Sequence, residues 1–118
     1  MSSHKPTLYE PEEAFLSWIL DYAHLYGWFC AHFRFATVFK HGEVTYRTAV
    51  QADGMGFPDL VLARGTVTIY AELKSKKGRL TPEQKSWLEV LALNPGNLCF
   101  VWRPSDRQEI EEVLKRGK

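Results

Sequence analysis

The sequence predicts an α/β fold in which a mixed central β-sheet is flanked by helices. Three observations carry that prediction. Phe15, Trp18, Ile19, Tyr22 and Tyr26 recur at three- and four-residue spacing, the period of an amphipathic helix. Two β-branched and aliphatic runs, Leu60 to Leu62 and Thr66 to Leu73, are separated by Ala63-Arg64-Gly65, which reads as two antiparallel strands joined by a short glycine turn. Thr81-Pro82-Glu83-Gln84 then announces a second helix, and the continuous apolar run Leu98 to Trp102 supplies a further strand.

Taken in order, residues 1–9 read as a loose polar arm. Pro11 suits the first turn of the first helix, and Glu12-Glu13 favour its positive end; Gly27 stops it. Glu12 lies on the apolar face, so it is either a dipole-favouring residue at the rim or a third acid aimed inward. Residues 28–35 resume as an aromatic-rich strand. Between residues 37 and 50, Thr37-Val38-Phe39 and Val44-Thr45-Tyr46 flank His41-Gly42-Glu43, so residues 37–56 are expected to form a variable hairpin or loop. Arg34, Lys40 and Arg47 there offer contacts to nucleic acid, or the segment is a surface for a second copy; the sequence leaves both open. Residues 51–56, with glycines on both sides of Met55, read as a loop.

After the central hairpin, Ser75 to Arg79 forms a basic turn bent at Gly78. Thr81 at the cap, Pro82 at the first helical position and Gln84 two residues later make a capping box, which explains Gln84 structurally. Gln84 also shares a face with Trp87, Leu88 and Leu91, and so points toward the hairpin. Asn94-Pro95-Gly96 ends that helix. The run Leu98 to Trp102 reads as a strand buried on both faces, and Ser105 with Gln108 as the capping box of a last helix whose Ile110, Val113 and Leu114 pack inward. Arg103, at the strand end, is a phosphate contact or a surface ion-pair partner.

The 118 residues suffice for one core and not for two, so a single domain over residues 1–118 is expected. Net charge is only +1, and the total gives no sign of a nucleic-acid partner. Its distribution does. Lys74, Lys76, Lys77, Arg79 and Lys85 crowd one short segment, a pattern suited to a phosphate backbone or simply to a solvated lysine-rich turn. Cys30 and Cys99 sit in apolar runs and read as small buried hydrophobes. With no signal peptide, long apolar span or paired CxxC spacing, the expectation is a reducing cytoplasm, no membrane and no structural zinc.

The chemistry concentrates in the central hairpin. If its turn is centred between Gly65 and Thr66, Leu62 faces Ile69, Leu60 faces Ala71, and Asp59 lies opposite Glu72. Facing residues have Cβ atoms about 4.5–5.5 Å apart, and like charges there are destabilising. A divalent cation between them removes the objection, since hard cations take carboxylate oxygens and keep positions open for water and phosphate. Lys74, two residues beyond Glu72, points to the same side. Singly, Glu72 and Lys74 would suit an exposed edge-strand pair and Pro58-Asp59 a turn; together they favour a site.

Pro58-Asp59 followed by Glu72-Leu73-Lys74 resembles the PD-(D/E)XK nuclease signature. The runs GFPDLVL, AELKSKKGRLTPEQ and FVWRPSD resemble the small phage and bacterial VRR-NUC domains, from about Glu12 to the last helix. The resemblance implies a restriction-endonuclease-like core and a Mg²⁺- or Mn²⁺-dependent endonuclease. Asp59, Glu72 and the Leu73 carbonyl would be metal ligands, with Glu12 a further acid at the metal. Lys74 would orient or activate water, and Gln84 would stand near the metal or the scissile phosphate. DNA contacts are expected from Lys76, Lys77, Arg79, Lys85, Arg34 and Arg47. By analogy the substrate is branched DNA, a flap or a four-way (Holliday) junction, cut by a homodimer in the cytoplasm, the host's for a phage-encoded chain. The alternative is a catalytically idle DNA-binding or interaction module on the same fold.

Overall fold

The computed structural model describes residues 10–33, 36–40, 43–47 and 51–118, with side chains from 13 to 33 and from 51 to 118. Helix α1 (Glu10–Leu25) is followed by strands β1 (Phe29–His32), β2 (Ala36–Lys40), β3 (Glu43–Arg47), β4 (Leu60–Arg64) and β5 (Val67–Leu73). Helix α2 (Pro82–Ala92), strand β6 (Asn97–Trp102) and helix α3 (Arg107–Arg116) complete the chain. β1, β4, β5 and β6 form a four-stranded sheet in that order. β1–β4 and β4–β5 pair antiparallel and β5–β6 parallel, so the sheet is mixed, as the sequence predicts. The parallel pair needs a crossover, and α2 supplies it. β2 and β3 pair antiparallel in a separate two-stranded sheet; the residues between them, 41–42, and residues 48–50 of the expected variable hairpin or loop lie outside those described.

Alternation divides the sheet into two faces. On one, Leu60, Leu62, Ile69 and Ala71 join Phe15, Ile19 and Ala23 of α1 and Ile110, Val113 and Leu114 of α3 in the buried core. One corner is closed by Trp28, whose Nε1 donates to the Leu114 carbonyl at 2.8 Å. Arg64 donates to the carbonyls of Tyr26 and Leu114 at 3.0 Å each. The other face carries Asp59, Val61, Tyr70 and Glu72, and α2 packs on it. Trp87 of α2 meets Phe57 edge-on at 5.0 Å, and Phe57 meets Tyr70 at 6.1 Å.

Four expectations are corrected. β4 runs through Ala63 and Arg64, leaving a two-residue turn at Gly65-Thr66, because Arg64 pairs with Val67. The apolar run before Arg103 is an edge strand among the described residues: there β6 pairs only with β5, and residues 97–101 are half-buried with Trp102 alone fully buried. Continuous hydrophobicity could not reveal that one flank lacks a covering strand. Cys30 and Cys99 are half-buried and free, with burial enough to raise both thiol pKa values. The last helix begins after a 3₁₀ turn (Pro104–Asp106), so its N-cap position is Asp106 and not Ser105; the Asp106 carboxylate accepts the Arg103 N–H of that turn at 2.9 Å and makes no cap bond to the helix itself. Among the described residues no helix is long and apolar enough to cross a membrane.

Candidate metal and nucleic-acid site

The hairpin register sets the acids together. Leu62 pairs with Ile69 and Leu60 with Ala71, so Asp59, one residue before β4, lies opposite Glu72. Asp59 Oδ2 accepts the Leu73 N–H at 2.9 Å, which draws its carboxylate across to β5. Glu72 is 3 % exposed, the one buried charged side chain among the described residues. Its pKa is raised to about 8, first by burial and then by the Asp59 carboxylate beside it; Lys74 opposes the rise. Lys74 Nζ stands 3.9 Å from Glu72 Oε2.

The start of α2 completes this arrangement. Thr81 Oγ1 accepts the Gln84 N–H at 3.1 Å, and Gln84 Oε1 accepts the Thr81 N–H at 2.9 Å, the reciprocal capping box that the sequence predicts. The remaining end of the amide, Nε2, donates to Glu72 Oε2 at 3.0 Å. One glutamine therefore caps the helix and fixes a buried carboxylate. Close packing holds it there: Gly56 has φ +84°, and a Cβ at that position would lie 2.6 Å from Glu83 Cβ and 2.8 Å from the Gln84 backbone nitrogen. Only a glycine lets the loop before Pro58-Asp59 press against this helix end.

Glu72 Oε2 thus serves Gln84 and Lys74, while Oε1 is buried with no hydrogen-bond partner. A buried acceptor without a donor is costly, and a second carboxyl beside it adds to the cost. That is the environment a cation would relieve, and an oxygen donor set of two carboxylates suits a hard divalent ion. Among the described residues no group of three His, Cys, Asp or Glu side chains could hold a metal, so Asp59 and Glu72 stand as a pair. Glu12 belongs to α1, but its side chain lies outside those described, as do the side chain of Arg47 and all of Arg34.

Lys76, Lys77, Arg79 and Lys85 are exposed on the turn after β5 and on α2, on the chain segment that follows the acids. Arg103 makes contacts that neither expectation for it named. Its Nη1 donates to the carbonyls of Ser75 at 2.5 Å and Gly78 at 2.8 Å, tying the end of β6 to the basic turn. Sequence reasoning missed this role and that of Gly56. The glycine's place in GFPD was a signal of sorts; nothing in the sequence reports which carbonyls Arg103 meets.

Residues 35–101, more than half of the chain, match the family model described as the VRR-NUC domain. No curated protein and no solved structure matches the chain. The matched span contains Pro58-Asp59, Glu72-Leu73-Lys74 and the hairpin that joins them, and nucleases with such PD-(D/E)XK-like folds usually use divalent metals. The chain belongs to the VRR-NUC family, and its function is of the nuclease type, binding and processing DNA.

Proposed function

We propose that the chain is a metal-dependent DNA endonuclease whose reaction centre is the Asp59–Glu72 pair. The observation that carries this reading is the buried, partnerless Oε1 of Glu72 beside a second carboxylate. Asp59 and Glu72, with the Leu73 carbonyl and Glu12, would hold Mg²⁺, for which Mn²⁺ would substitute. When bound there, a divalent cation supplies Lewis acidity, making water a stronger acid and offsetting the charge that grows on the phosphate. Gln84 fixes the Glu72 carboxylate, and Lys74 places a positive charge where water and phosphate meet. Lys76, Lys77, Arg79 and Lys85 bind the phosphate backbone nearby, with Arg34 and Arg47 added from residues 34–47.

The substrate in this reading is branched DNA, a flap or four-way junction, cut by a homodimer in the cytoplasm. A two-fold pair of sites would reach opposing strands of a symmetric junction. We treat residues 1–118 as one nuclease domain, with 37–56 the variable segment that meets DNA or the second copy; the arm expected at residues 1–9 lies outside the described residues. A panel of single-stranded, duplex, flap and four-way-junction DNA, incubated with Mg²⁺ or with chelator, tests the activity, and light scattering tests the dimer. Cleavage is expected only with the metal and with preference for branched DNA. Asp59→Ala, Glu72→Ala and Lys74→Ala should each abolish it, and metal-dependent cleavage that survives in all three would discard the assignment.

A further inference from the structure

The register that joins the acids also places an aromatic ring next to them. In the β1–β4 pairing His32 faces Leu60, so Phe33 faces Asp59, and the Phe33 N–H donates to the Asp59 carbonyl at 2.8 Å. Phe33, Asp59 and Glu72 therefore form one row across the sheet, on the face opposite the core. Phe33 packs edge-on against Phe57 at 5.9 Å, and Phe57 in turn is braced by Tyr70 and Trp87. Even so, Phe33 is 51 % exposed. An apolar ring held rigid from behind, half open to solvent and one position from a metal-ligating carboxylate, has a ligand face that the core does not use.

What covers it follows from its neighbours. Any strand whose phosphate reaches Asp59 and Glu72, with the backbone on the basic turn, carries its adjoining nucleotide past Phe33. In continuous duplex the base faces are already stacked on one another and unavailable to the ring. An unpaired base offers its face, and stacking on an aromatic side chain is tolerant of base identity.

We propose that Phe33 is a stacking platform for an unpaired nucleobase beside the scissile phosphate, so that the strand cut here is single-stranded on at least one side of the break. This rests on the nuclease reading above and narrows its substrate to DNA with an unpaired nucleotide at the cut, as in a flap or fork.

The test uses a flap duplex carrying 2-aminopurine at successive positions across the junction. Binding is followed by fluorescence in chelator and cleavage is followed with Mg²⁺. Wild type and Phe33→Trp should quench the probe at one position, and Phe33→Ala and Phe33→Leu should not. Both of the latter should lower kcat/KM on the flap by roughly 5- to 150-fold, the range that base stacking spans, while nicking of continuous duplex changes by less than about twofold. Phe33→Leu keeps apolar bulk against Phe57, so a loss confined to Phe33→Ala would mark a packing role and overturn the platform. Equal losses on flap and duplex, or a quench that persists in Phe33→Leu, would overturn it as well. A wild type that binds no DNA would sink the nuclease reading with it, whereas Phe33→Ala and Phe33→Leu proteins that cut flaps as well as wild type does would sink the platform alone.

Discussion

Glu72 is held where a lone carboxylate is expensive, and that expense has a measurable sign. Its pKa stands raised from 4.5 to about 8 by burial and by Asp59, so the folded protein binds a proton there more tightly than the unfolded chain does. The stability this gives is fully present below about pH 4.5 and is lost progressively up to about pH 8. Without metal, thermal melts should therefore show Tm falling across that window. Glu72→Gln, which keeps the shape and cannot ionise, should flatten the fall and be more stable than wild type at pH 8 by an amount on the order of a few kcal/mol. The same slope in both proteins would show that the carboxylate is not strained. Asp59 and Glu72 were legible because strand alternation and one glycine turn suffice to pair them. Phe33 was not, since its place beside Asp59 depends on a strand pairing across more than twenty intervening residues.

Two elements bring the site to its working shape, and each turns on a single close contact. The loop before β4 touches the first turn of α2 at Gly56, where there is no room for a methyl group and φ is +84°. Gly56→Ala should destabilise the fold by about 1–3 kcal/mol and shift the α2 end that carries Gln84, lowering kcat at least tenfold. Chemical denaturation and single-turnover cleavage measure the two effects; an unchanged kcat would free Gln84 from this constraint. The basic turn after β5 is tied to β6 by Arg103 through the Ser75 and Gly78 carbonyls. Arg103→Ala should loosen it, raising KM for DNA several-fold with kcat little changed, and a drop in kcat alone would contradict a role in holding the turn. The sequence yielded the hairpin, the capping box and the helix it starts, since each is encoded within a few neighbouring residues. It did not yield the edge position of β6, the 3₁₀ entry to α3 or the partners of Arg103, which depend on what lies alongside in space.

At the scale of the whole molecule, the sheet separates stability from chemistry. α1 and α3 bury one face in an apolar core, while the opposite face carries the acids and receives α2 only over part of its area. Asp59, at the start of β4, and Glu72, near the end of β5, are adjacent because the two strands run antiparallel, so the site lies at one end of the hairpin, away from its turn. In the proposed reaction the rigid half holds two carboxylates in a position neither would choose alone. The most direct test is calorimetric titration of Mn²⁺ at pH 7 into wild type, Asp59→Asn and Glu72→Gln, repeated in buffers of different ionisation enthalpy. The account predicts binding in wild type with release of a proton from Glu72, and binding weakened at least tenfold in both variants while their folds persist. Mn²⁺ bound with equal affinity and no proton release in all three proteins would contradict it.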